Sequence, residues 1–417
     1  MELPDPGQHS RREYLRALVA AGGAAGLAAC LDFVDEESEP ATGNPENRPT
    51  RQHAWNDALD ADEHGNLLAP EHHVLVAADL TDDPTAADKA QVETALRSLE
   101  RAYPYDSDGL LFTVGYSPTY FEQVGVESPI PEAEAVTSFE DPLIDDFDVL
   151  LQLASNRADV LLEAEEALFG EVTEPNGIEM EATVEDVFER RTENRRTGFV
   201  GNGLPAQFAE EVGGVPDEMP EDAPFFMGFK AGFANSQAPE DRVTIQEGPY
   251  EGGTTTHVES LDIQLETWFE QDDYWLRVAQ TFSPEHAAEN LVGEIGEELG
   301  VSTEIESQAD RTVADAREQG VVGHAQKAAR ARDPDGTPPL LRRDFNTTDN
   351  DIPGLHFLSH QRTISDFRTV REAMAGEDLD AGVGQRHNNG LLQYIFVNRR
   401  GNFLVPPREN RALPAVD

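Results

Sequence analysis

The order in which the hydrophobic period changes is the tightest constraint on what this chain can fold into. His73–Ala78 is a short apolar run with the length of a strand. From Ala87 to Tyr103 the period becomes 3.6, with Val92, Ala95, Leu96, Leu99 and Tyr103 on one face. Leu110–Tyr116 and Phe147–Leu153 read as two further strands. Arg157–Leu168 reads as a helix burying Val160, Leu161, Ala164 and Leu168, and Gly177–Val184 alternates like a fourth strand. The sequence β-α-β-β-α-β is the ferredoxin-like order, which places the class at α+β.

The second half repeats the alternation with helical insertions. Strands are expected at Thr254–Leu265, Leu340–Phe345 and Gly354–His360. Helices are expected around Trp268–Phe282, Pro284–Leu299, Asp310–Gln319 and Ser365–Met374. A closing hairpin is expected from Gly390–Val397 and Asn402–Val405 around Asn398–Gly401. Two ferredoxin-like halves packed together follow, at residues 71–195 and 196–417. Residues 31–70, acidic and poor in apolar periodicity, read as a disordered tether.

Charge narrows the setting. Eighty-one acidic residues face 31 basic ones, for a net charge of -50, and Lys89, Lys230 and Lys327 are the only lysines. Such a surface suits a halophilic protein, since high salt screens its self-repulsion. It disfavours nucleic acid as a partner. A hydrophobic content of 38% argues for a folded core rather than an acidic disordered chain.

Residues 1–30 read as an export and anchoring signal. Arg11 and Arg12 lie in Ser10-Arg11-Arg12-Glu13-Tyr14-Leu15-Arg16, which resembles a twin-arginine signal. A small apolar stretch, Ala17–Ala29, follows and is too short for a confident span. Leu27-Ala28-Ala29-Cys30 looks like a lipobox, and Cys30 is the only cysteine. The expectation is an extracytoplasmic protein tied to the membrane by lipid on Cys30. A nucleophilic-cysteine enzyme is excluded. No phosphate-binding glycine loop or Gly-x-Ser-x-Gly elbow occurs. His356 with His360, and His72 with His73, lack the Cys or carboxylate partners of a metal site.

The densest chemistry runs from Val321 to Asn346. His324 opens a basic segment, and Arg342 and Arg343 follow an apolar lead-in, with Asn346 just beyond. Upstream stands Gly228-Phe229-Lys230-Ala231-Gly232, followed by Asn235. These residues resemble the dye-decolourising (DyP-type) haem peroxidases, over roughly His53 to Pro407. The family has a Gly-x-x-Asp-Gly distal motif, and here Ala231 stands where its aspartate belongs.

The resemblance implies a fold of the dimeric α+β barrel type and haem b as cofactor. It implies His324 as ligand to the haem iron, Arg342 in the distal pocket, and peroxide with an unidentified electron donor as substrates. Lys230 and Lys327, beside the haem motifs, are expected near its propionates, and the resemblance leaves room for a homo-oligomer. Three outcomes follow from Ala231. Arg342 and an ordered water sustain a weak peroxidase, or Asp344 supplies the missing carboxylate, or the scaffold binds haem or another small ligand without turnover.

Overall fold

The computed structural model describes residues 41–209, 212–379 and 389–416. The first half contains β1 (His72–Leu80), α1 (Ala86–Ala102), β2 (Leu111–Tyr116), β3 (Val149–Ser155), α2 (Ala158–Leu168) and β4 (Arg196–Phe199). Thr85 caps α1 through a reciprocal capping box with Asp88. The antiparallel strand order is β2-β3-β1-β4, the ferredoxin-like arrangement. The second half provides β5 (Thr254–Ile263), α3 (Tyr274–Thr281), α4 (His324–Ala328), β6 (Leu341–Arg342), β7 (Phe345–Thr347), β8 (Gly354–Gln361), α5 (Ile364–Ala375) and β9 (Ile395–Val405). Its order, β7-β8-β5-β9, is the same pattern, with β6 also pairing with β8.

The two sheets close on each other. β4 meets β7 at Phe199 and Asn346, and β9 meets β2 at Leu404 and Tyr116. Leu75, Ala77, Leu150, Val258, Leu358 and Phe403 form one buried cluster with Phe147 and Phe345 inside the barrel. Alternation sends Val74, Val76 and Ala78 outward against α1 and α2. β1 is therefore covered on both faces, which is why its sequence is nearly continuously apolar. On β5 the outward residues Glu259, Leu261 and Ile263 face a cavity instead.

Several expectations are corrected. Gly177–Val184 forms no strand. Ile178, Met180 and Ala182 pack against the first-half core, because β1 is already paired on that side by Phe188–Arg190 and by β4. The helix expected over Pro284–Leu299 stops at Glu289, where Asn290 turns left-handed at φ 54°. The strand expected over Leu340–Phe345 breaks into β6 and β7, leaving Arg343 and Asp344 between them. The closing hairpin is one continuous strand, β9, with a register shift between Val397 and Arg399. Arg400 is fully buried in it against Glu259 and Glu140, so this arginine belongs to a strand and not to a turn.

The tether is also shorter than expected. Gln52 donates to Pro406 O at 2.8 Å and accepts from Val114 N–H at 2.9 Å, plugging the β2–β9 junction. Trp55 is fully buried against Leu111 and Ala154 and donates to Gln52 O at 2.8 Å. Trp55→Ala should therefore cost about 3–5 kcal/mol in denaturant unfolding of the full chain. A loss under about 1 kcal/mol would return this segment to the tether. The export and lipidation residues Arg11, Arg12 and Cys30 lie outside the described residues. No helix among the described residues is long and apolar enough to cross a membrane.

Candidate active site

An apolar cavity of about 290 Å³ lies between the outer face of the second sheet and the helices that cover it. In the first half the equivalent space is filled by α1 and α2. Phe229, Phe233, Phe282, Leu261 and Phe357 are among its walls, and His324, Ala231, Arg342 and Asp344 all line it. A larger cavity of about 1480 Å³, with more charged and polar residues in its lining, adjoins it, sharing Ala231, Gly232, Arg332, Arg342 and Asp344. Ala231 lies more than ninety positions before His324, Arg342 and Asp344 in the sequence, and the fold brings all four to one place.

His324 is the first residue of α4. Gly323 before it must be glycine, since a Cβ there would lie 1.7 Å from Phe282 O. Gln326 accepts from Gly323 N–H at 3.1 Å and donates to Asp315 at 2.7 Å, fixing the helix start. His324 and Ala328, four apart, then share the face turned to the cavity. Burial, and next the charges of Lys327 and Arg342, push the His324 imidazole down to about 3. It is neutral at any ordinary pH. Its Nδ1 is buried with no hydrogen-bond partner among the described residues.

Lys327 does not line the cavity. It is fully buried, and its Nζ donates to Asn389 O at 3.0 Å and Asn389 Oδ1 at 2.6 Å. Its expected role at a cofactor is corrected: it anchors α4 to the chain around Asn389. Lys230 does line the cavity, but its ammonium is paired with Asp62.

Arg342 is held through its backbone. Gln237 accepts from Arg342 N–H at 2.9 Å and donates to Arg342 O at 3.2 Å. This clamp joins β6 to the loop bearing Ala231, and nothing in the sequence spacing pointed to Gln237. The Arg342 guanidinium lies 3.8 Å from the Asp344 carboxylate. Asp344 accepts from Leu358 N–H at 3.3 Å, and burial pushes its carboxyl up to about 6, against the opposing pull of Arg342. Gly228 and Gly232 give the Ala231 loop its left-handed turns, at φ 91° and 78°. Asn235 is exposed on the wall of the outer cavity, its N–H donating to Val301 O at 3.0 Å.

Among the described residues, no other histidine lines the inner cavity. His356 bonds Asp349 at 3.0 Å and Ser260 at 3.1 Å, His360 bonds Thr256 at 2.9 Å, and His73 stacks on Phe345. Among the described residues, no group of three or more His, Cys, Asp or Glu could hold a metal ion.

Residues 70–407 match the model of a family of unknown function, DUF7405. No curated protein matches the chain in sequence. Among solved structures, the fold is similar to a DyP-type peroxidase from Cellulomonas bogoriensis, at 19% identity and TM-score 0.52, over 85% of this chain and 96% of that one. It is similar to a dye-decolorizing peroxidase (DyP) from Bacteroides thetaiotaomicron, at 14% identity and TM-score 0.52, over 85% and 97%. A dye-decolorizing protein from V. cholerae matches at 14% identity and TM-score 0.51, again over 85% and 97%. The scaffold is that of the DyP-type peroxidases.

Proposed function

This chain belongs to the DUF7405 family of unknown function, and on its DyP-type scaffold we propose a haem-dependent peroxidase in which Asp344 does the proton transfer that Ala231 cannot. The observation that carries this reading is that His324, Ala231, Arg342 and Asp344 line one apolar cavity.

The residues present fit haem. A metal ligand must be an unprotonated imidazole, and burial keeps His324 in that form. The walls are aromatic and aliphatic, as a porphyrin face requires. When bound, haem would supply an iron that takes up peroxide and carries its oxidising equivalents. His324 would hold it by a ring nitrogen. The Asp344 carboxylate takes a proton from one peroxide oxygen and returns it to the other. Arg342 stabilises the negative charge on the departing oxygen. The Ala231 methyl has no proton to give. The outer cavity, which shares Ala231, Arg342 and Asp344 with the inner one, would give an electron donor its approach. The second reading, binding without turnover, rests on that same alanine.

The placement of the protein belongs to the proposal. A twin-arginine signal at Arg11 and Arg12 and lipid on Cys30 would hold it at the outer face of the membrane, its acidic surface hydrated in high salt.

The test is an absorption spectrum of the purified full chain in molar salt, titrated with hemin. A Soret band with peroxide-dependent oxidation of a dye is the expected result. A band without turnover supports the second reading, and no band removes haem from both.

A further inference from the structure

One wall of the inner cavity is the face of α5 that carries Phe367, Val370, Arg371 and Met374. Arg371 is the polar member of that face, and it is buried, with 4% of its surface exposed. A guanidinium offers five donors. Among the described residues, only the Nη2 of Arg371 is engaged, by Glu140, and its Nε is buried without a partner. Its neighbour Arg400 is the contrast. Its Nε meets Glu259, its Nη1 meets Glu134 O, and its Nη2 reaches Glu140 and Glu259. Glu140 thus serves two guanidiniums, and Arg371 is the one left with unused donors. Burial and the charge of Arg400 both disfavour its cationic form.

The other cations on the cavity wall are placed differently. Lys230 is paired with Asp62, and Arg332 with Glu306. Arg332 also lines the outer cavity, where water can meet its donors, as Arg342 does beside Asp344. A buried guanidinium with spare donors on an apolar wall is costly unless an anion completes it.

We propose that Arg371 receives a carboxylate of the ligand that fills the inner cavity, so that this site takes a planar apolar molecule with an acidic group on its edge. This rests on the haem reading, and there the carboxylate is a haem propionate. The interaction is a charge-assisted hydrogen bond in a water-poor site, which sets the expected effect at about ten- to a hundredfold in affinity.

The experiment titrates the full chain in molar salt with hemin and, separately, with hemin dimethyl ester, in which both carboxylates are capped, and follows the Soret change. The wild-type chain should bind hemin at least tenfold more tightly than the diester. Arg371→Met should lose that preference by weakening hemin alone, and Arg371→Lys should keep part of it. Equal binding of hemin and diester by the wild-type chain overturns the assignment while leaving the haem reading intact, and needs no variant to fold. An unchanged preference in a folded Arg371→Met chain also overturns it. Failure of both porphyrins to bind overturns the haem reading and the propionate subsite together.

Discussion

Asp344→Asn is expected to slow peroxide turnover by about two to four orders of magnitude while leaving the hemin-bound spectrum in place. The asparagine keeps the size of the side chain and can still accept from Leu358 N–H, so the local backbone should hold. It cannot take a proton. Because burial pushes the Asp344 carboxyl up to about 6, its basic form appears only as pH rises through that value. Wild-type turnover should therefore climb between about pH 5 and 7, and the climb should vanish in the variant. Asp344→Asn with unchanged turnover would mean that proton transfer runs through another group or through water.

The same substitution should stabilise the protein. An unfolded aspartate ionises near 4, whereas this one holds its proton to about 6. Between those values the folded chain binds a proton that the unfolded chain has released, so stability falls as pH rises through that window. Above it the ionised buried carboxylate costs about 3 kcal/mol, a net figure in which the pull of Arg342 at 3.8 Å is already included. Unfolding at pH 8 should show Asp344→Asn more stable than wild type, with the advantage shrinking towards pH 4. A gain in stability coupled to a loss of turnover is what a functional carboxyl on an apolar wall should show.

His324→Ala should abolish the Soret band of hemin-titrated protein, and imidazole added at millimolar concentration should restore part of it. The apoprotein should lose little. His324 has no hydrogen bond to forfeit among the described residues, and its Nδ1 is buried unsatisfied, so the change should stay within about 1 kcal/mol. That combination separates a lost ligand from a lost fold. A band that survives in His324→Ala would place the ligand elsewhere.

The elements that carry the first half were legible in the sequence. A helix burying Val92, Leu96 and Leu99 needs only a 3.6 period and a capping Thr85, and β1–β3 needed only apolar runs of strand length. His324 and Arg342 were legible as candidates through the motif around them. Gly177–Val184 misled because alternation reports which face is buried and not whether an edge is free to pair. The Asn398–Gly401 segment misled because charged residues suggest a turn, while Arg400 is buried by Glu259 and Glu140 from distant parts of the chain. Lys327 misled for the same reason, since its partner Asn389 lies 62 residues away.

The sequence by itself determined the α+β class, the two repeated halves and the acidic composition, because each of these depends on local period or on side-chain chemistry alone, and it offered His324 and Arg342 as candidates. Only the tertiary structure decided that the two sheets close into one barrel, and that Asp344 stands on the wall where Ala231 lacks a carboxyl. Only it decided that Gln237 clamps Arg342 and that Arg371 keeps unused donors. Those facts depend on which surfaces meet across more than a hundred residues, and on how burial then shifts the charge of each group. No local pattern encodes either.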